Sequence, residues 1–133
     1  NFFSVTLTKK NGGVYAVFGD NEIKIPEEKL QKLISDECIG KEVYMGIRPE
    51  NISDSKEAVA KFAGATCKVK VEVVELMGSE TYLYLSTTGK DGNIIARVDP
   101  RSTSRTGDDI VVAFDTERLH FFDKDTETTL LNK

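Results

Sequence analysis

The sequence contains few of the residues that hold metals or form disulfides. Its 133 residues include one histidine and two cysteines, Cys38 and Cys67, with no C-x-x-C pair. So few ligands support neither a zinc site nor a disulfide framework, and reduced thiols of the kind found in the cytosol are expected. No apolar run approaches the roughly 18 residues that cross a bilayer, and no basic segment followed by an apolar stretch stands at the N-terminus. The composition therefore predicts a soluble, untargeted protein.

The sequence also lacks catalytic motifs. No phosphate-binding G-x-x-x-x-G-K-S/T loop is present, because Gly89-Lys90 has no glycine five positions before Gly89. We therefore expect the chain itself neither to bind nor to hydrolyse ATP. His120 is the only imidazole base, and its place in an apolar segment predicts a hydrogen-bonded structural histidine. Residues 123–125 lack the glycine and the terminal glutamate of a calcium loop, so no metal is predicted.

The charge balance disfavours nucleic acid as a partner. The formal net charge is −4 and the isoelectric point is near 5.1, whereas capture of nucleic acid needs clustered Lys and Arg. Two aromatic pairs, Tyr82 with Tyr84 and Phe121 with Phe122, could stack bases on a barrel. Because no basic residues are interleaved with them, an aromatic core or an interface is favoured.

Strand signals dominate the chain, whose length fits one domain over residues 1–133 that buries about two-thirds of its extended surface. The turns at residues 11–13 and 78–79 each predict a β-hairpin. One helix is predicted to begin at Pro26 and to place Leu30, Leu33 and Ile34 on one face. Residues 53–62 fit either a loop or a short helix. The predicted strands are residues 3–8, 14–18, 22–25, 42–47, 66–76, 81–85, 94–98 and 110–114. The fold class is therefore all-β with one short helix, an OB-like small β-barrel with a second strand layer.

Three segments in fixed order carry a family resemblance. The first contains Gly46-Ile47-Arg48-Pro49-Glu50, the second Glu75-Leu76-Met77-Gly78-Ser79-Glu80, and the third Leu119-His120-Phe121-Phe122-Asp123, with Phe121 where a leucine is expected. Together they resemble the C-terminal regulatory domain of the ATP-binding subunit of sugar-importing ABC transporters, of the maltose, glycerol-phosphate and multiple-sugar type. The resemblance covers the chain from residue 1 to about residue 129.

The resemblance implies a function without catalysis. It implies a transport-associated OB (TOBE) domain that belongs to a longer subunit whose nucleotide-binding domain is absent here, so ATP and magnesium are expected only in that absent domain. The implied partners are a second copy in a homodimer, the ATPase domain of the same subunit and, indirectly, the permease subunits. The implied location is cytoplasmic, at the inner face of the plasma membrane. Other subunits would decide which sugar is imported.

The residues in the three segments are the candidates for an interface or a regulatory site. Pro49 is expected to hold Arg48 extended where a strand ends. Arg48 either pairs with a carboxylate inside the domain, with Glu75, Glu80 and Glu50 considered in that order, or faces a partner. The same two alternatives, a role inside the domain or a contact with a partner, remain open for Glu75, Gly78 and Glu80. Gly78 is expected to be needed for the turn. The full candidate set is Arg48, Pro49, Glu50, Glu75, Gly78, Glu80, His120, Phe122 and Asp123.

A second hypothesis is a small oxyanion-binding or ligand-binding OB-like module. Related barrels bind oxyanions between subunits, and the hydroxyl-rich loop at residues 102–107 could supply similar groups. Loops of this composition are more often simply solvated.

Overall fold

Two antiparallel sheets make up the chain in a computed structural model that describes residues 1–33 and 36–131. One sheet has the strand order β10-β4-β1-β2-β3, and the other has the order β5-β9-β6-β7-β8. The strands of the first sheet are β1 (Phe2–Lys10), β2 (Gly13–Phe18), β3 (Asn21–Lys24), β4 (Glu42–Gly46) and β10 (His120–Phe122). Those of the second are β5 (Ile52–Ser53), β6 (Thr66–Leu76), β7 (Thr81–Ser86), β8 (Ile94–Val98) and β9 (Asp109–Phe114). The all-β prediction is confirmed.

The hydrophobic core lies between the two sheets. Buried and more exposed residues alternate in β1, β2, β3, β7 and β8, as the period of two requires, and the first sheet contributes Phe3 as a fully buried ring. The ring centroid of Phe3 is 5.0 Å from that of Phe18 and 5.6 Å from that of Phe114. Because Phe114 belongs to the second sheet, this aromatic contact joins the two layers.

Both predicted hairpins are present. Asn11 (φ 49°) and Gly12 (φ 77°) form the two-residue turn between β1 and β2. The longer hairpin joins β6 to β7 through Gly78 (φ 74°), and a register shift between Val71 and Val73 bends its strand. The hairpin prediction over 66–76 and 81–85 is thus confirmed almost residue for residue.

A second contact between the sheets is made by two turns. Gly19 follows β2 and Gly89 follows β7, and their backbones lie too close for any side chain: a Cβ on Gly89 would be 2.1 Å from the backbone nitrogen of Gly19. Beside them, the Nδ2 of Asn21 donates to the hydroxyl of Thr87 at 3.1 Å and to the carbonyl of Thr88 at 3.1 Å. The buried Asn21 therefore bridges the sheets with its carboxamide.

The helices differ from the prediction. The helix α1 (Glu27–Leu30) is a single turn, and Pro26 precedes it instead of opening it. Leu33 has left the helix and forms an isolated β-bridge with Leu131, so a tertiary contact ends the helical pattern early. Ile34 lies outside the described residues. The ambiguous stretch contains a second short helix, α2 (Lys56–Lys61), whose first turn is capped by the hydroxyl of Ser55.

Within the part of the chain that the structure describes, no helix has the length and apolar character that crossing a membrane requires.

Candidate functional site

The turn that carries Arg48 and Glu50 is anchored at both ends. β4 ends at Gly46, the buried Ile47 follows, and Arg48 is extended (φ −78°, ψ 152°) before a 3-10 turn at Pro49–Asn51. The amide of Asn51 donates to the carbonyl of Arg48 at 3.0 Å, and Asn51 in turn accepts from the amide of residue 115 at 2.9 Å. This confirms that proline holds Arg48 extended at a strand end. The side chains of Arg48 and Glu50 project from a fixed backbone into solvent.

The predicted ion pair of Arg48 inside the domain is wrong. Among the described residues, Arg48 makes neither a salt bridge nor a side-chain hydrogen bond with Glu75, Glu80 or Glu50. Glu80 pairs instead with Arg97, at 3.3 Å between Oε2 and Nε, and accepts from the Tyr82 hydroxyl at 3.2 Å. The register explains this choice, because Tyr82 on β7 lies opposite Arg97 on β8. Arg48 therefore remains available to a partner.

The end of the long hairpin exposes apolar side chains. Leu76 is 76% exposed and Met77 54% exposed, and the turn that follows is closed by a hydrogen bond from the Met77 amide to the Glu80 carbonyl at 2.8 Å. Glu50, Ser79, Glu80 and Arg97 line a shallow concavity of about 510 Å³. We call Glu50, Leu76, Met77, Ser79, Glu80 and Arg97 the tip surface. The structure thus brings the first and second sequence segments together.

A group of aromatic side chains covers the outer side of the first sheet. The register places Phe2 and His120 on either side of Gly46, and it places Phe122 beside Tyr44. Their inward neighbours are buried in the core, so these residues face outward. The rings of Phe2 and Phe122 meet edge to face, with centroids 5.9 Å apart. We call Phe2, Tyr44, His120 and Phe122 the aromatic patch.

Gly46 makes this arrangement possible. A Cβ at Gly46 would lie 3.2 Å from the Phe2 ring and 3.3 Å from the Phe122 ring, which is tighter than ordinary contact. The glycine of the first sequence segment therefore has a packing role: it gives the two rings room above the sheet.

His120 is not the hydrogen-bonded structural histidine that the sequence predicts. Its ring is solvent-exposed, has no hydrogen-bond partner among the described residues, and stacks on Phe122 at 6.4 Å between centroids. It sits on the outward side of β10, whereas Phe121 is the buried residue of that strand. Partial burial, followed by the charges of Lys29 and Arg48, lowers the pKa of His120. Arg48 is therefore an electrostatic neighbour of the aromatic patch.

Asp123 organises the turn after β10. Its Oδ1 accepts hydrogen bonds from the amides of Asp125 and Thr126, each at 2.9 Å, and these bonds lower the pKa of Asp123. Its carboxylate is satisfied by its own turn and is therefore a local structural group. Glu75 lies on the exposed hairpin near the tip surface, where it makes no ion pair with any described residue.

Sequence reasoning missed six residues that the structure places at these surfaces: Phe2, Tyr44, Leu76, Met77, Ser79 and Arg97. Leu76 and Met77 belong to the second sequence segment, and two apolar residues beside a turn glycine are a signal of an exposed hydrophobic tip. Phe2 and Tyr44 carry no such signal, because alternation identifies which residues share a side of a strand without showing which side is covered.

The hydroxyl loop offers little to an anion. The hydroxyls of Ser102 and Ser104 both donate to Oδ2 of Asp54, at 2.5 and 2.8 Å. The Asp54 carboxylate occupies these two donors and repels an oxyanion. Within residues 1–33 and 36–131, no cluster of three or more His, Cys, Asp or Glu side chains could hold a metal ion.

Comparison with known proteins agrees with this architecture. The family model described as "MalK OB fold domain" matches residues 1–52, and the "TOBE domain" model matches residues 45–122. The sequence is 39% identical over 130 residues to the oligosaccharides import ATP-binding protein MsmX of Bacillus subtilis, covering 98% of this chain and 34% of that protein. It is 37% identical to the multiple sugar-binding transport ATP-binding protein MsmK of Streptococcus mutans, covering 98% and 33%.

A third relative is the trehalose/maltose import ATP-binding protein MalK of Thermococcus litoralis, which is 30% identical over 127 residues, covering 95% of this chain and 33% of that protein. The chain thus spans about a third of the length of the curated relatives it matches. The OB-like fold and the family resemblance are both confirmed, and the matched TOBE region contains Arg48, the tip surface, and His120 and Phe122 of the aromatic patch. The chain belongs to the TOBE domain family, with a MalK-type OB fold domain at its N-terminal end.

Proposed function

We propose that this chain is the non-catalytic regulatory and dimerisation domain of the ATP-binding subunit of a sugar ABC importer. The relatives named above are ATP-binding proteins of sugar import, and this chain corresponds to about a third of each. ATP and magnesium would be bound by the remaining part of such a subunit. The partners would be a second copy, the subunit's own ATPase domain and, through it, the permease subunits at the cytoplasmic face of the membrane.

The tip surface is the observation that carries this proposal. Leu76 and Met77 stand exposed at the end of a well-formed hairpin, and a contact made by them would have an apolar centre. Charged side chains surround that centre: Glu80 and Arg97 are paired with each other, whereas Glu50 and the nearby Arg48 have no ion pair among the described residues. An apolar centre with a charged rim is the usual anatomy of a protein contact.

The same surface is suited to a twofold contact. In such a contact the same patch meets itself, so a surface that carries both an unpaired cation and an unpaired carboxylate can complement its own copy. Glu50 of the tip surface supplies the carboxylate, and Arg48, two positions before it on the same turn, supplies the cation. With only two large apolar residues exposed there, the buried area should stay below about 1,200 Å², which is the range of weak complexes.

Sedimentation over a concentration series tests the dimerisation. We expect the wild-type domain to exchange between monomer and dimer at micromolar to millimolar concentrations, and the double variant L76T/M77T to dimerise at least about tenfold more weakly. Val111→Thr is the matched control, because Val111 is also partly exposed (38%) but lies outside the tip surface. It should associate like the wild type.

Three results would count against the proposal in different ways. A wild-type domain that stays monomeric at millimolar concentration would remove dimerisation as a property of this chain and leave docking to the ATPase domain as the surviving role. Equal association of the wild type and the double variant would show that the dimer forms elsewhere. If Val111→Thr weakened dimerisation as much as L76T/M77T does, the association would depend on exposed apolar residues in general and not on the tip surface.

A further inference from the structure

A cavity lies at the aromatic patch. Its volume is about 440 Å³, within the range of ligand pockets, and its lining consists of Phe2, Tyr44, Phe122 and Glu127. The three rings come from three adjacent strands, and the carboxylate comes from the turn after β10. Phe2 is 65% exposed, an unusual position for a phenylalanine that has no apolar cover. The cavity therefore combines aromatic walls with one negative charge.

The carboxylate in this cavity is held on a rigid turn and has no internal partner. The amide of Glu127 donates to the Asp123 carbonyl, and the amide of Asp123 donates to the Thr128 carbonyl, both at 2.8 Å. The backbone of Glu127 is left-handed (φ 60°), a conformation that is uncommon for glutamate. Among the described residues, the Glu127 side chain makes neither an ion pair nor a hydrogen bond. The residue is exposed, so a ligand cation can reach the carboxylate.

The neighbourhood already attracts a cation from its own chain. The Nζ of Lys124 lies 5.8 Å from the centroid of the Tyr44 ring and 3.4 Å from Oε2 of Glu42. This is a cation placed between an aromatic ring and a carboxylate, an arrangement that is favourable by both quadrupole and charge. Glu127 and the rings of Phe2 and Phe122 offer a similar arrangement, and no cation from the described residues is placed against them.

We propose that this pocket binds the guanidinium group of an arginine side chain presented by a protein partner. A guanidinium is planar, stacks on aromatic faces and pairs with a carboxylate through two parallel hydrogen bonds, whereas an ammonium does neither as well. The chain's net charge of −4 favours the approach of a basic partner. The proposal is independent of association through the tip surface, because the two surfaces share no residue.

Titration with blocked amino acids, followed by nuclear magnetic resonance, tests the pocket. The probes are N-acetyl-arginine methylamide, its lysine counterpart and its norleucine counterpart, which supply a guanidinium, an ammonium and an uncharged alkyl chain. We expect millimolar binding of the arginine probe, with shifts centred on the resonances of Phe2, Tyr44, Phe122 and Glu127. The norleucine probe should bind at least about tenfold more weakly, with the lysine probe between them, and added salt should weaken the charged probes.

Two variants locate the interaction. Glu127→Gln should weaken the arginine probe at least about fivefold, while Asp125→Asn, which removes the same charge from the same turn but lies outside the lining, should leave it nearly unchanged. Equal binding of norleucine and arginine would overturn the proposal in favour of an apolar groove. Equal effects of the two variants would overturn it as well, because the binding would then follow net charge instead of the Glu127 carboxylate. Folding of both variants is checked by their amide spectra.

Discussion

Replacing Gly89 with alanine tests the contact between the turn after β7 and the turn after β2. In the structure, a Cβ on Gly89 would lie 2.1 Å from the Gly19 nitrogen and 2.5 Å from the Phe18 carbonyl carbon. Both neighbours are backbone atoms, which cannot rotate away as the end of a flexible side chain can. The turns must therefore separate if the variant is to fold, and the Asn21 hydrogen bonds that lie between them must lengthen.

The expected loss of stability has two parts. Gly89 has φ +76°, and a residue with a Cβ in this left-handed region costs about 1–2 kcal/mol. Overpacking against fixed backbone adds about 1–3 kcal/mol. The free energy of unfolding should thus fall by about 2–5 kcal/mol, a large part of the roughly 5–15 kcal/mol that stabilises a typical domain.

Gly12→Ala is a closely matched control. Gly12 has nearly the same backbone angle, φ +77°, but a Cβ there would meet nothing within 4 Å. Only the conformational part should then be lost, about 1–2 kcal/mol. Urea unfolding followed by circular dichroism measures both variants, and the difference between their midpoints, at constant slope, isolates the steric part.

Losses of stability in Gly89→Ala and Gly12→Ala that agree to within about 0.5 kcal/mol would contradict the close contact of the two turns. Such a result would mean that the two turns do not touch, or that they separate without cost. Gly19→Ala provides a second reading of the same contact, because its Cβ would lie 2.3 Å from the Thr88 carbonyl carbon.

Two further predictions concern titratable side chains. Burial raises the pKa of Cys67 to about 11, so iodoacetamide should label this thiol far more slowly in the native protein than in urea, as measured by mass spectrometry; equal rates would contradict its burial. Arg48→Ala should raise the pKa of His120 toward its ordinary value, because one of the cations that disfavour the imidazolium is removed, and a histidine titration by nuclear magnetic resonance would show it. The pKa of His120 is lower in the folded state than in the unfolded state. Lowering the pH through the range between these two pKa values therefore destabilises the wild type, and the Arg48→Ala variant should lose less stability over the same range. An unchanged pKa would separate Arg48 from the aromatic patch.

Local sequence predicted most of the strands because their signal is local. Alternation and turn residues defined β8 at residues 94–98 and the hairpin around Gly78. The helix was overextended for the opposite reason: its apolar spacing was real, but Leu33 pairs with Leu131 at the other end of the chain. A window of a dozen residues contains no information about such a partner.

In the functional surfaces, too, the sequence predicted the local features but not the contacts between residues that are far apart in the chain. The sequence identified Arg48 and Glu50 as residues on a rigid turn, and the structure agrees. It offered Glu80 as one possible partner of Arg48, whereas Glu80 pairs with Arg97 because β8 lies beside β7. Strand pairing joins residues that are far apart in sequence, and its register decides every contact across the sheet.

By itself, the sequence determined the all-β class, the positions of the turns and the family to which the chain belongs, because strand period, turn chemistry and motif order are all written along the chain. Only the tertiary structure decided that Phe2, Tyr44 and Phe122 meet on one outer surface with Glu127, and that Glu50 shares a concavity with Glu80. The physical reason is that successive side chains of a strand point to opposite sides, and this period alone does not show which side is buried. Packing of the two sheets against each other then selects which side is covered, and so which side is left to meet a partner.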